Sequence, residues 1–178
     1  SFDLIIDDDL VVPGQTATVM ARLWNASEFS LIQPAIDLDM ASGWDVSEVS
    51  IEGLGLDGSV TPGSLVTWTY RVNVPPDADL SKLYYLRENR DGPWYLWPDA
   101  PDLWSLPRDP EPVAASVSFE AQLGGQSAAP RALTSASWRY VGVDPALGQF
   151  EKPVLIVPSV SVEVMPRGIV WPASRTEP

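Results

Sequence analysis

Proline and glycine recur along the whole chain, eighteen and twelve of them in 178 residues, and they interrupt every stretch that could have become a long helix. A proline inside a helix removes a hydrogen bond and clashes with the preceding turn, and a glycine there costs about 1 kcal/mol. Strands and turns are what remain, so the expected fold class is all-β. The length suits one large or two small sandwich-type domains, and eight Trp among 45% hydrophobic residues can fill a core.

Residues 2–12 (FDLIIDDDLVV) read as a strand ending at the turn Pro13-Gly14. In residues 16–24, Ala17, Val19, Ala21 and Leu23 share one face and Thr16, Thr18, Met20, Arg22 and Trp24 the other. Asn25-Ala26-Ser27 supplies a turn, and Ile36, Leu38 and Met40 then alternate with Asp37 and Asp39 in a half-exposed strand over 35–40. Val46 and Val49 to Ile51 suggest a short strand, and residues 54–58 a loop. After Pro62-Gly63, Val66, Trp68, Tyr70, Val72 and Val74 form a core face. Short alternating strands parted by Pro-Gly and Asn/Ser turns predict an immunoglobulin-like β-sandwich over residues 1–78, without the Cys pair of antibody domains.

Composition changes over 79–112. Between 87 and 112 lie nine charged residues, three Trp and six Pro. That much proline opposes regular strands, and the Trp content is foreign to disordered linkers, so an ordered Pro/Trp-rich insertion or linker is expected. Trp94, Trp97 and Trp104 are expected to pin it to the sandwich. Residues 113–178 bring further strands at 113–121, 134–143 and 153–165, the last divided at Pro158, with turns at 124–127 and Asp144-Pro145. They either complete the first sandwich or form a second. Ile169, Val170 and Trp171 suggest the start of another strand.

The absence of His and Cys excludes disulfides, thiol nucleophiles, His-based triads and every zinc site that uses either residue. A net charge of −13 repels phosphate backbones and anionic headgroups, so no nucleic-acid partner is expected. No run approaches the roughly 20 apolar residues of a membrane helix, and no membrane insertion is expected. No catalytic residue, cofactor or established metal site emerges.

Asp7, Asp8 and Asp9 offer oxygen ligands of the kind Ca²⁺ takes. No Asp-x-Asp-x-Asp-Gly loop accompanies them, and a solvated, aggregation-resisting strand edge is the stronger reading. Asp37 and Asp39 share a strand face as an acid/base pair would, but nothing supplies a cleft, and solubility explains them better. The most specific stretch is YYLRENRDGPWYLWP at 84–98. Exposed aromatic rings stack on sugar faces while Arg, Asn and Asp reach hydroxyls, which makes Tyr85, Arg87, Arg90, Trp94, Tyr95 and Trp97 candidate ligand-binding residues. Burial of the rings as structural anchors is the favoured alternative, and their exposure separates the two. Trp138-Arg139-Tyr140 poses the same choice more weakly and reads as alternating core and surface.

The stretch at 84–98, with PVAASVSFEA at 112–121 and WRYVGVDPALGQFEKPVLIVPSVSVEV at 138–164, resembles the non-catalytic region that follows the catalytic domain of large bacterial LmbE-like (PIG-L) N-acetylglucosaminyl deacetylases. The resemblance covers about residues 60–165, and residues 1–78 separately resemble the immunoglobulin-like accessory domains appended to bacterial glycosidases and to such deacetylases. It implies a parent with a zinc site built from a His-Pro-Asp-Asp stretch and a later His. This chain has no His, so no catalytic residue carries over. The implied function is that of a non-catalytic accessory segment positioning or stabilising a catalytic domain of the same polypeptide. A carbohydrate-binding module and a structural spacer of a cell-surface protein are the alternatives. The implied location is periplasmic or extracellular, reached by a signal absent from this segment.

Overall fold

Alternation of apolar and polar side chains becomes strand after strand in the computed structural model, which describes residues 1–86, 91–97, 99–104, 106, 109–123, 126–163 and 165. The strands are β1 (Phe2–Ile6), β2 (Leu10–Val11), β3 (Thr16–Trp24), β4 (Ser30–Met40), β5 (Asp45–Glu52), β6 (Ser59–Val60), β7 (Leu65–Asn73), β8 (Val113–Leu123), β9 (Gln126–Asp144), β10 (Gly148–Lys152) and β11 (Leu155–Ile156). Single 3-10 turns at Tyr84–Leu86 and Pro101–Leu103 are the only helical geometry among the described residues. The fold is all-β and sandwich-like.

Nine strands form one curled sheet in the order β5-β7-β3-β1-β9-β8-β4-β6, with β10 added to β9, while β2 and β11 pair separately. The pairs β1–β9 and β2–β11 are parallel and the others antiparallel. β9 joins the two halves. Its first part pairs with β8 up to Ser137↔Ala114, and from Trp138↔Leu4 onward it pairs with β1. The curl encloses one core. Ala17, Val19, Ala21 and Leu23 of β3 and Val66, Trp68, Tyr70 and Val72 of β7 meet Val113, Ala115 and Val117 of β8 there. Trp138, 1% exposed, fills the seam where β9 changes partners, its ring edge-to-face with Trp44 at 5.5 Å.

Several boundaries differ from the sequence reading. The first strand breaks at Asp7-Asp8-Asp9, because β1 pairs with β3 and β9 whereas β2 pairs with β11. β4 begins at Ser30, five residues ahead of the expected start, and passes Pro34 by a bulge. One extra residue sits on β4 between Ile32 and Ala35, with Gln33 at φ +48°. A bulge confines proline to a place where its missing N–H breaks no ladder bond. β10 was not expected, and it forms by folding back on β9 across the turn after Asp144. Residues 159–163 of the alternating stretch after Pro158 form no strand: among the described residues of 153–165 only Leu155–Ile156 pairs, and Val160 and Val162 are exposed. Alternation makes a segment competent for a sheet, but pairing needs an edge within reach. The expected strand around Ile169–Trp171 lies outside the described residues.

Candidate functional site

The segment between β7 and β8 leaves and rejoins the sandwich beside β11. On the outgoing side the Ser81 N–H donates to the Ile156 carbonyl (2.9 Å), and the Ile156 N–H donates to Ser81 Oγ (2.8 Å). On the return side the Ala41 N–H donates to the Pro112 carbonyl (3.1 Å), and Glu111 accepts from the Trp138 indole (3.1 Å). Polar contacts at both stems therefore hold this segment.

Its outer part is built from tight turns. Asp91 and Trp94 exchange backbone hydrogen bonds of 3.1 Å in both directions around Gly92-Pro93, with Gly92 at φ +59°. Positive φ followed by proline is the pattern of a type II′ turn, and it lifts Trp94 outward. Pro101 opens the second 3-10 turn, and the Trp104 N–H closes it on the Pro101 carbonyl (3.2 Å).

The Trp rings are not the buried anchors expected of them. Trp94 is 73% exposed, Trp97 52%, Trp104 48% and Tyr95 44%. The stems bond to the sandwich, and the rings also pack on one another. Tyr85 and Tyr95 meet edge-to-face at 5.8 Å and 87°, and Trp97 and Trp104 at 6.2 Å and 84°. Tyr85, Trp94, Tyr95 and Trp97 of the candidate set thus share one outward loop, and Trp104, which the ligand reading omitted, joins them. Arg87 and Arg90 lie outside the described residues. Leu83, Leu86 and Leu96 add exposed aliphatic surface. Composition flags the aromatic density but carries no information on which rings face water.

A groove of about 720 Å³ lies below, where the return stem passes the β9 seam, and Asp39, Glu111, Arg139, Glu151 and Lys152 line it. Its cations are engaged: Arg139 pairs with Asp3 and, at 3.5 Å, with Glu151, and Lys152 pairs with Asp9 at 2.7 Å. The hydrogen bond to Asp9 raises the Lys152 pKa. Trp138-Arg139-Tyr140 is buried at its first residue and half-buried at the other two.

The aspartates at 7–9 are each committed to local structure. Asp7 accepts from the Thr18 N–H, Asp8 from the Leu10 N–H, and Asp9 from Lys152. Among the described residues no three His, Cys, Asp or Glu side chains converge to hold a metal ion. Asp37 and Asp39 are both exposed, and only Asp39 reaches the groove. Among the described residues no helix is long and apolar enough to cross a membrane. No protein-family model matches the chain, and no curated protein is significantly similar to it.

Proposed function

We propose that this chain is a non-catalytic accessory module of a larger exported protein and that its aromatic loop binds carbohydrate. The exposure of Trp94, Tyr95 and Trp97 on a proline-stiffened loop carries the reading. Rings that faced the core could not reach a ligand, and rings held outward by turns lose little entropy on binding one. The lack of any His or Cys supports the non-catalytic part, as does the resemblance to the region that follows an LmbE-like deacetylase domain. A carbohydrate-facing module of this kind works in the periplasm or outside the cell.

Glycan binding by the purified chain, measured on an array and by calorimetry beside Trp94→Ala and Trp97→Ala, tests the reading. Binding weakened in Trp97→Ala, with or without a loss in Trp94→Ala, supports it. Absence of binding, or binding by both variants equal to that of the parent chain, overturns it. Metal-dependent release of acetate from an N-acetylglucosamine derivative by the chain overturns the non-catalytic part.

A second reading has the same loop dock on a catalytic domain of the same polypeptide. Leu83, Leu86 and Leu96 favour it, because aliphatic surface beside aromatic rings is typical of a protein contact and adds nothing to sugar stacking. Stable association with a separately produced neighbouring domain, lost in Leu96→Asp, would select this reading.

A further inference from the structure

We infer that the loop takes a single, soluble glycan chain without negative charge, held in a corner between perpendicular rings, and does not adsorb to the flat face of a crystalline polysaccharide. This rests on the carbohydrate-binding reading above. A crystalline face is a plane of packed chains, and adsorption to it requires several aromatic faces lying in one plane. Neither contacting pair of the loop offers two coplanar faces. Within the pair Trp97–Trp104 the planes stand at 84°, and within Tyr85–Tyr95 at 87°, so only one ring of each pair can lie parallel to any surface.

What the arrangement does offer is a two-walled corner. In an edge-to-face pair the positively polarised edge of one ring meets the face of the other, so the corner beside the contact is walled by two electron-rich faces. A pyranose has matching parts, with apolar C–H bonds on its faces and hydroxyl groups around its rim. Stacked on one indole, it points rim C–H and O–H hydrogens at the face of the other. Trp97 and Trp104 are open to similar degrees, so theirs is the accessible corner, whereas half-buried Tyr85 buttresses Tyr95. A single chain can enter such a corner, and a crystal face cannot.

Charge sets the second half of the inference. Between residues 87 and 112 six carboxylates stand against three arginines, Asp91 and Asp99 beside the rings are exposed, and the whole chain carries −13. This net charge disfavours the approach of a uronate-rich polymer.

The test uses the whole chain against soluble xyloglucan and glucomannan by affinity electrophoresis and calorimetry, against microcrystalline cellulose and α-chitin by depletion, and against alginate as the polyanion. The expected result is binding to at least one soluble neutral polymer, little depletion by the crystalline solids and none by alginate. Trp97→Ala and Trp104→Ala should each weaken binding about tenfold, the loss of roughly one stacked ring. Trp97→Phe, which keeps a ring face, should retain most of it, with circular dichroism confirming the fold of each variant. Equal or stronger adsorption to the crystalline solids, preference for alginate, or equal losses in Trp97→Phe and Trp97→Ala would overturn the inference and leave carbohydrate binding standing. Binding to none of these polymers and to no glycan of the array overturns both.

Discussion

The indole N–H of Trp138 donates a 3.1 Å hydrogen bond to the carboxylate of Glu111, tying the seam where β9 changes partners to the returning stem of the aromatic loop. One residue thereby closes the core and anchors the segment that carries the candidate site. Because Trp138 is buried, its N–H has little access to water if the acceptor is lost, and such a group costs about 1–3 kcal/mol. Glu111→Ala should lower stability by that amount. In a Trp138→Phe background, where no N–H is present, the same substitution should cost about 1 kcal/mol less, as urea midpoints in a double-mutant cycle would show. Additive costs would mean that Glu111 acts through its other contacts.

How much of this was legible beforehand depended on whether a residue's environment is set by its own strand or by a distant partner. The faces of β3 and β7 followed from alternation, because Ala17, Val19 and Val66, Trp68 point inward wherever a half-buried strand is placed. The break at Asp7–Asp9 did not, since it depends on β11, about 145 residues away, pairing with β2 and not with β1. Pro34 argued for a later start to β4, and the bulge that admits it shows only in the register against β8. Val160 and Val162 alternate as well as any core strand and yet stand in water. For the site, the sequence marked the aromatic segment but misjudged its rings, because the stem contacts of Ser81 and Glu111 that bond the segment to the sandwich join residues far apart in the chain.

Gly53 and Gly63 both have positive φ, +82° and +74°, but differ in surroundings. A Cβ at Gly53 would lie 2.1 Å from the Leu65 carbonyl oxygen, a backbone atom held in the ladder, whereas nothing lies within 4 Å of one at Gly63. Gly63→Ala should cost about 1–2 kcal/mol, the usual strain of an L residue in the left-handed region. Gly53→Ala adds the clash and should cost at least about 1 kcal/mol more. Chemical denaturation of both variants checks the order, and equal costs would mean that the β5–β7 edge relaxes freely.

Tyr70 should make the alkaline limb of stability steeper. Burial in the core raises its phenol pKa to about 12, and the Glu48 carboxylate directly across the β5–β7 ladder adds to the shift. In the unfolded chain the group ionises near pH 10. Below that pH both states keep the proton and Tyr70 adds no pH dependence. Between about 10 and 12 only the unfolded state releases it, so stability falls as pH rises, and the fall ends once both states are ionised. Tyr70→Phe should flatten this part of the stability profile relative to the parent, whatever it does to the stability at neutral pH. Parallel profiles for the two proteins would place the Tyr70 hydroxyl in contact with water.

The aromatic loop should be nearly silent in stability. Trp94 is 73% exposed and lifted by a turn closed through backbone atoms, so Trp94→Ala removes little buried surface and should shift stability by no more than about 0.5 kcal/mol. Trp97 and Trp104 are about half exposed and lean on each other edge-to-face, which predicts small but coupled losses. Their double-mutant cycle should return about 0.5–1.5 kcal/mol, the usual worth of an aromatic pair. By contrast Trp138→Ala, in the core, should cost about 3–5 kcal/mol. Urea midpoints of the four variants would place the three loop residues well apart from Trp138. A loss at Trp94 comparable to that at Trp138 would mean that the ring is buried in solution, and a ring buried there cannot serve as a binding surface.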